Sequence, residues 1–312
     1  MLNYTDIIDE SKSLLQEITL PANKYNIKTY VKRDDLLHPE ISGNKWRKLK
    51  YNLIKAKELG HKILLTFGGA YSNHIYAVAS AGKIFGFKTI GIIRGEEHLP
   101  LNSTLKFAAN CGMDLHYLDR TTYRNRNEIS FQNGLIEKYG NAYVIPEGGS
   151  NLLALKGVAE IIDSIKTDYT HICCANGTGG TIAGIICGLK GNKKVIGFPS
   201  LKGAGFLNEV VNQFICQYSE QHYTNYSLIL DYHFGGYAKI NYDLVKFMDL
   251  FYSLNNISLD PIYTSKMMYG INNLIEQKYF HSNDVIIAVH TGGLQGLMGM
   301  DNKINHLRQQ NK

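Results

Sequence analysis

The 312-residue chain has no apolar stretch near the roughly 18 residues that cross a bilayer, so no membrane-spanning helix is expected. Cysteine is scarce: five residues, an odd count, with no Cys-x-x-Cys pair. Cys173 and Cys174 sit together in an apolar run and read as small buried hydrophobes, which suits a reducing compartment. No metal site is expected. The first ten residues carry early acids and no basic segment, so no secretory signal is expected. Charge is also limited, at 19% of residues with a net +6. Its one dense cluster, at 45–50, lacks interleaved aromatics beyond Trp46, which argues against a nucleic-acid partner. There is no fixed-period repeat, low-complexity tract or long Pro/Gly/Ser linker. The expectation is a cytoplasmic, globular protein.

What is present is an α/β pattern. Apolar residues make up 44% of the chain, enough for a large core. From about residue 62, strand-like runs at 63–67, 89–94, 115–118 and 143–146 alternate with helical spacing at 72–85, 102–111 and 128–139. The alternation resumes at 171–175, 181–189 and 194–199, and again at 264–277 and 284–290. Such alternation predicts parallel sheets covered by helices on both faces.

In such sheets ligands bind where strands end in glycine-rich turns. Four segments fit: Gly68-Gly69-Ala70-Tyr71-Ser72-Asn73-His74, Glu147-Gly148-Gly149-Ser150-Asn151, Asn176-Gly177-Thr178-Gly179-Gly180-Thr181 and Thr291-Gly292-Gly293-Leu294. Gly177, Thr178, Gly179, Gly180 and Thr181 form the clearest anion cradle, with converging backbone N–H groups, two hydroxyls and a following helix N-terminus. The cradle has no Walker lysine and does not fit Gly-x-Gly-x-x-Gly, so a monoester phosphate suits it better than a nucleoside triphosphate or dinucleotide. Ser72, Asn73 and His74 open a helix and could either cap it or hold a carboxylate. Lys45 follows a Gly-Asn turn at the start of a helical run. Read alone, Lys45, Arg47, Lys48 and Lys50 form a solvated basic face. A lysine at a helix start beside other cations also loses its proton readily and can form a Schiff base with an aldehyde cofactor.

These segments together resemble the D-cysteine desulfhydrase and 1-aminocyclopropane-1-carboxylate deaminase family of tryptophan-synthase-β-like (fold type II) enzymes. Lys32-Arg33-Asp34-Asp35, Gly43-Asn44-Lys45-x-Arg47-Lys48-Leu49, Asp260-Pro261-Ile262-Tyr263-Thr264 and His290-Thr291-Gly292-Gly293 complete the likeness over nearly the whole chain. The resemblance implies two interleaved open parallel-sheet lobes, a small one at 48–149 and a large cofactor-binding one from 1–47 and 150–312. It implies pyridoxal 5'-phosphate on Lys45, with Asn44 at its 3-oxygen and the 177–181 loop at its phosphate. Thr291 would face the pyridine nitrogen, with Thr264 nearby. Ser72, Asn73 and His74 would line the substrate side, Ser72 nearest the reacting carbon, and Tyr263 would act as a second acid/base. A homodimer and a small amino-acid substrate are implied. The chain departs from the family pattern at Ser42, where Gly is usual, at Tyr71, where Gln is usual, and at Tyr76, which replaces a commonly polar or basic residue.

The deaminase branch resembles Tyr-Glu and His-Leu-Gly-Gly where this chain has Tyr263-Thr264 and His290-Thr291, as in the desulfhydrase branch. A carboxylate holds the proton of a ring nitrogen better than a hydroxyl does. Opening a cyclopropane needs the stronger electron sink, whereas expulsion of a thiol with a pKa of about 8.5 does not. The expectation is α,β-elimination of D-cysteine, or a related D-amino acid, to pyruvate, ammonia and hydrogen sulfide. The alternatives are the deaminase, giving 2-oxobutyrate, and a non-catalytic carrier or regulator that binds the cofactor.

Overall fold

A computed structural model describes residue 4 and residues 7–22 and 26–309. The chain enters through β1 (Leu15–Ile18) and β2 (Lys28–Lys32), then forms α1 (Asn44–Glu58). The run β3 (Ile63–Gly69), α2 (Asn73–Phe85), β4 (Lys88–Arg94), α3 (Ser103–Asn110), β5 (Met113–Leu118), α4 (Ile129–Tyr139) and β6 (Tyr143–Ile145) builds one sheet. After α5 (Leu152–Asp163) come β7 (His171–Asn176), α6 (Gly180–Leu189), β8 (Lys194–Pro199), α7 (Leu207–Ser219) and β9 (Tyr226–Leu228). Then follow α8 (Tyr242–Asn255), α9 (Thr264–Glu276), β10 (Val285–Val289) and α10 (Asp301–Gln309).

The four-stranded sheet, in order β5-β4-β3-β6, is parallel throughout. The six-stranded sheet runs β1-β2-β10-β7-β8-β9. It is parallel except at its edge, where β1 pairs antiparallel with β2. Two open sheets interleaved in sequence are the expected architecture. The lobe boundaries at 48–149 are our proposal, and at 48 they cut α1, a single helix. Residues 1–3, 5, 6, 23–25 and 310–312 of that division, with part of the acidic N-terminal segment, lie outside the described residues.

Side chains divide between the two faces of each sheet with the two-residue period of the strands. In β7, Cys173 and Ala175 join α8 and α9 on one face, while Ile172 and Cys174 join α5, α6 and α7 on the other. In β3, Leu64 faces α1, α2 and α3, and Leu65 and Phe67 face α4. Both cysteines are buried free thiols, as expected. Helix starts are fixed by side chains: Ser72 Oγ accepts from the N–H groups of His74 and Ile75, and Asn151 Oδ1 from that of Ala154.

Three helices set the site. A side chain at Gly157 of α5 would collide with the Arg47 carbonyl of α1, and one at Gly184 of α6 would meet Val158 Cβ at 2.6 Å. Bare glycine backbone therefore brings α1, α5 and α6 unusually close. Arg47 is fully buried and locks α1 from the other side, through Asp34 (3.1 Å) and Glu10 (2.7 Å).

Gly157→Ala is expected to lower stability by about 2 kcal/mol, an overpacking cost, with a lower urea midpoint and an unchanged slope. An unchanged midpoint would mean that α1 and α5 do not depend on this contact.

Candidate active site

Lys45 enters the cleft from the first turn of α1. Gly43 sits at φ +62°, and a side chain there would strike the Thr291 carbonyl. Its N–H donates to the Asp34 carbonyl, and the N–H of Asn44 donates to Thr291 (3.3 Å). The loop after β10 thus seats the start of α1, and Thr291 is buried against it. Ser42 packs on Gly292 behind the same turn and donates to the Asp35 carbonyl. Burial draws the Lys45 pKa down to about 8, against the opposing pull of Asp260.

The cradle lies across from it. Asn44 Nδ2 donates to Thr181 Oγ1 at 2.9 Å, which ties α1 to α6. Thr178 Oγ1 and Ser150 Oγ share a hydrogen bond of 2.6 Å, and Lys48 Nζ donates to Ser150 Oγ and to the Gly148 carbonyl. A Cβ at Gly180 would sit 2.6 Å from Ser150 Oγ and 3.3 Å from Lys48 Nζ, so bare backbone is needed there. Lys48 is buried, and its pKa is driven well down, by burial first and by Lys45 second. Among the described residues its ammonium is partnered by neutral oxygens. A buried cation beside hydroxyls and a helix N-terminus is a fitting seat for a phosphate. Lys48 was grouped in sequence with a solvated face. The signal that could have found it is its i+3 spacing from Lys45, which puts both on one side of α1.

The remaining candidates divide. Tyr263 stands over Gly177, whose added Cβ would lie 3.3 Å from its hydroxyl. Its hydroxyl shares a hydrogen bond with Tyr237, a residue that no sequence signal singled out, and burial holds its pKa well up. Asn73 Oδ1 accepts from Gln295 at 2.9 Å. Ser72 caps α2, as its sequence position allowed. His74 is buried in the wall, bonded to Thr66 Oγ1 at 2.8 Å, its second ring nitrogen unpartnered among the described residues. Burial, then Lys45 and Lys48, drives its pKa well down, so it is neutral. Thr264 is turned into the fold: its hydroxyl donates to Asp260 at 2.7 Å within the cap of α9. Tyr76 stacks on Phe107 of α3 at 3.7 Å, and Tyr71 packs its half-exposed ring against Gly299.

A part-buried, readily neutral lysine beside an anion cradle is the donor set of an aldehyde-phosphate cofactor, and comparison with known proteins agrees. A family model described as pyridoxal-phosphate dependent enzyme matches residues 10–292. The chain belongs to this family. A Thermotoga maritima protein named "Putative 1-aminocyclopropane-1-carboxylate deaminase" is 33% identical over 298 residues, covering 91% of this chain and 94% of its own. A mitochondrial bifunctional D-cysteine desulfhydrase/1-aminocyclopropane-1-carboxylate deaminase of Arabidopsis thaliana is 29% identical, covering 91% of this chain and 78% of its own. A crystal structure of an ACC deaminase homologue superposes with a TM-score of 0.83 at 27% identity, over 95% of this chain and 94% of that one. As a pyridoxal-phosphate dependent enzyme, the protein takes pyridoxal 5'-phosphate as its cofactor. We propose Lys45 as the residue that carries it, with Lys48 and the 177–181 loop at its phosphate. Among the described residues no helix is long and apolar enough to cross a membrane.

At pH 7.5 an amine with a pKa of about 8 is about one-quarter neutral, against about one-thousandth at the ordinary value. Cofactor capture by the apoprotein, followed by absorbance, should therefore slow about tenfold per pH unit below about 8 and level off above it. Borohydride reduction and peptide mapping should then place the label on Lys45. A label on Lys32 or Lys48 would overturn the assignment.

Lys48→Met removes the cation from the cradle. Inorganic phosphate should raise the melting temperature of the wild-type apoprotein and leave that of the variant where it was. Equal shifts in both would remove Lys48 from the phosphate seat.

Proposed function

We propose that this pyridoxal-phosphate dependent enzyme is a lyase that eliminates the β-substituent of D-cysteine or a related D-amino acid, releasing pyruvate, ammonia and hydrogen sulfide. The observation that carries the reading is that hydroxyl residues, Thr264 and Thr291, stand where the deaminase pattern has Glu and Leu, so neither position offers the cofactor ring a carboxylate. The Thr264 hydroxyl is already committed to Asp260, whose two carboxylate oxygens also accept three backbone N–H groups of the α9 cap. A hydroxyl holds a ring proton poorly, which suits expulsion of a good leaving group.

When bound, the cofactor withdraws electrons from the substrate α-carbon and makes its proton removable. The Lys45 amine, neutral in a useful fraction near pH 8, accepts that proton. The electron pair left on the α-carbon forms a bond to the β-carbon as the C–S bond breaks. Tyr263, held protonated by burial, donates its proton to the departing sulfur, and Tyr237 supports its hydroxyl. Ser72 and Asn73, at the open end of α2, hold the substrate carboxylate. Water then releases ammonia and pyruvate.

The names of the two relatives favour a second reading, 1-aminocyclopropane-1-carboxylate deamination, and the plant relative is named for both reactions. A panel separates them: D- and L-cysteine, D-serine, β-chloro-D-alanine and the cyclopropane amino acid, each assayed for keto acid, sulfide and ammonia. Sulfide from D-cysteine with little from the L-isomer is the expected result. Efficient 2-oxobutyrate formation from the cyclopropane would replace the desulfhydrase reading by the deaminase. We further propose a homodimer and a cytoplasmic location.

A further inference from the structure

Gln295 lies just past the glycine pair that follows β10, in the short helical turn Leu294–Gly296. It reaches across the cleft to α2, where its Nε2 donates to Asn73 Oδ1 at 2.9 Å. The other end of the same carboxamide is held by shape. Gly293 has φ +90°, and a Cβ there would sit 2.7 Å from Asn73 Nδ2 and 3.5 Å from Asp260 Cγ. Any side chain at 293 would displace the amide. A second contact runs alongside: the Tyr71 ring lies against Gly299, with an added Cβ there 3.4 Å from the ring. Residues 293–299 therefore grip the 71–73 turn at two points.

We propose that Gln295 is a positioning residue for substrate. An asparagine carboxamide has a donor end and an acceptor end and offers whichever is left free. By donating to Oδ1, Gln295 takes up the acceptor end and leaves the Nδ2 hydrogens for an anion. A substrate carboxylate needs donors, so the donor that 295 presents to Asn73 sets whether Asn73 meets it with an N–H or a repelling oxygen. The ligand class is an amino acid with a free α-carboxylate. This rests on the reading of Asn73 as a carboxylate ligand, and it is independent of which β-substituent leaves.

The test uses three variants of the holoenzyme, with binding read from the shift in cofactor absorbance on titration with D-alanine, L-alanine or the cyclopropane amino acid. Ethylamine, which has no carboxylate, is the control. Gln295→Leu removes the donor, and Gln295→Glu sets an acceptor against Asn73 Oδ1, so it turns the amide around. Both are expected to weaken amino-acid binding about tenfold, the usual effect of losing one hydrogen bond to a charged group, and to leave ethylamine unchanged. Gln295→Lys keeps a donor and is expected to bind within about threefold of the unsubstituted enzyme. Unchanged amino-acid binding in the leucine variant overturns the proposal. So does an equal loss for ethylamine, which would mark a structural role. If no amino acid shifts the spectrum of the unsubstituted enzyme, the carboxylate reading falls with it. Failure of the desulfhydrase reading looks different: no sulfide from D-cysteine, while alanine binding still depends on position 295.

Discussion

Glycine-mediated backbone contact between α1, α5 and α6 is the constraint on which the site depends. Lys45 and Lys48 stand one turn apart on α1, and the cradle opens α6. The gap between them is set by α5, whose Gly157 admits the Arg47 carbonyl of α1 and whose Val158 fits against Gly184 of α6. Packing at this density leaves no slack for a methyl group, so the cradle and its lysines are placed by sterics before any ligand binds. The same logic seats the start of α1 from above, where Gly43 lets Thr291 approach.

Electrostatics then sets the chemistry. The cations of this region are sorted by partner. Arg47 has the buried Asp34 and the part-exposed Glu10, and Lys50 has Glu10 and Glu160. Lys48 has a carbonyl and a hydroxyl in place of a carboxylate. A buried ammonium without a carboxylate gives up its proton unless an anion arrives. The two carboxylate-paired cations hold the helix, and Lys45 and Lys48 are left for a ligand.

Much of this was legible in the sequence. The strand runs at 63–67, 171–175 and 194–199 and the helical runs between them lie where the elements formed, because buried parallel strands are continuous apolar runs and helices keep their caps. The glycine turns marked the cleft, since ligands gather at strand ends. Contacts across the fold were hidden. Tyr237 lies in a loop among glycines, and nothing in its neighbourhood distinguishes it from the other 20 tyrosines of the 21 in the chain. Gln295 touches Asn73 over a separation of 222 residues. Spacing reports one helix face or one strand face, and neither residue reaches its partner that way.

Thr264 shows the same gap in a sharper form. Its place after Tyr263 suggested a hydroxyl near the one that would face the ring nitrogen, and the fold bonds that hydroxyl to Asp260, and the threonine backbone N–H with it. The reason is local. Asp260 precedes α9 by four residues, and the helix start leaves N–H groups that a carboxylate satisfies well. That carboxylate is buried, saturated by four donors and still close enough to oppose the loss of charge at Lys45. One side chain therefore caps the start of α9, next to Tyr263, and moderates the Lys45 amine. A longer acid at 264 would have to compete with Asp260 for the same N–H groups or turn out into the cleft, so the choice of hydroxyl or carboxylate at 264 is coupled to the cap as well as to the ring.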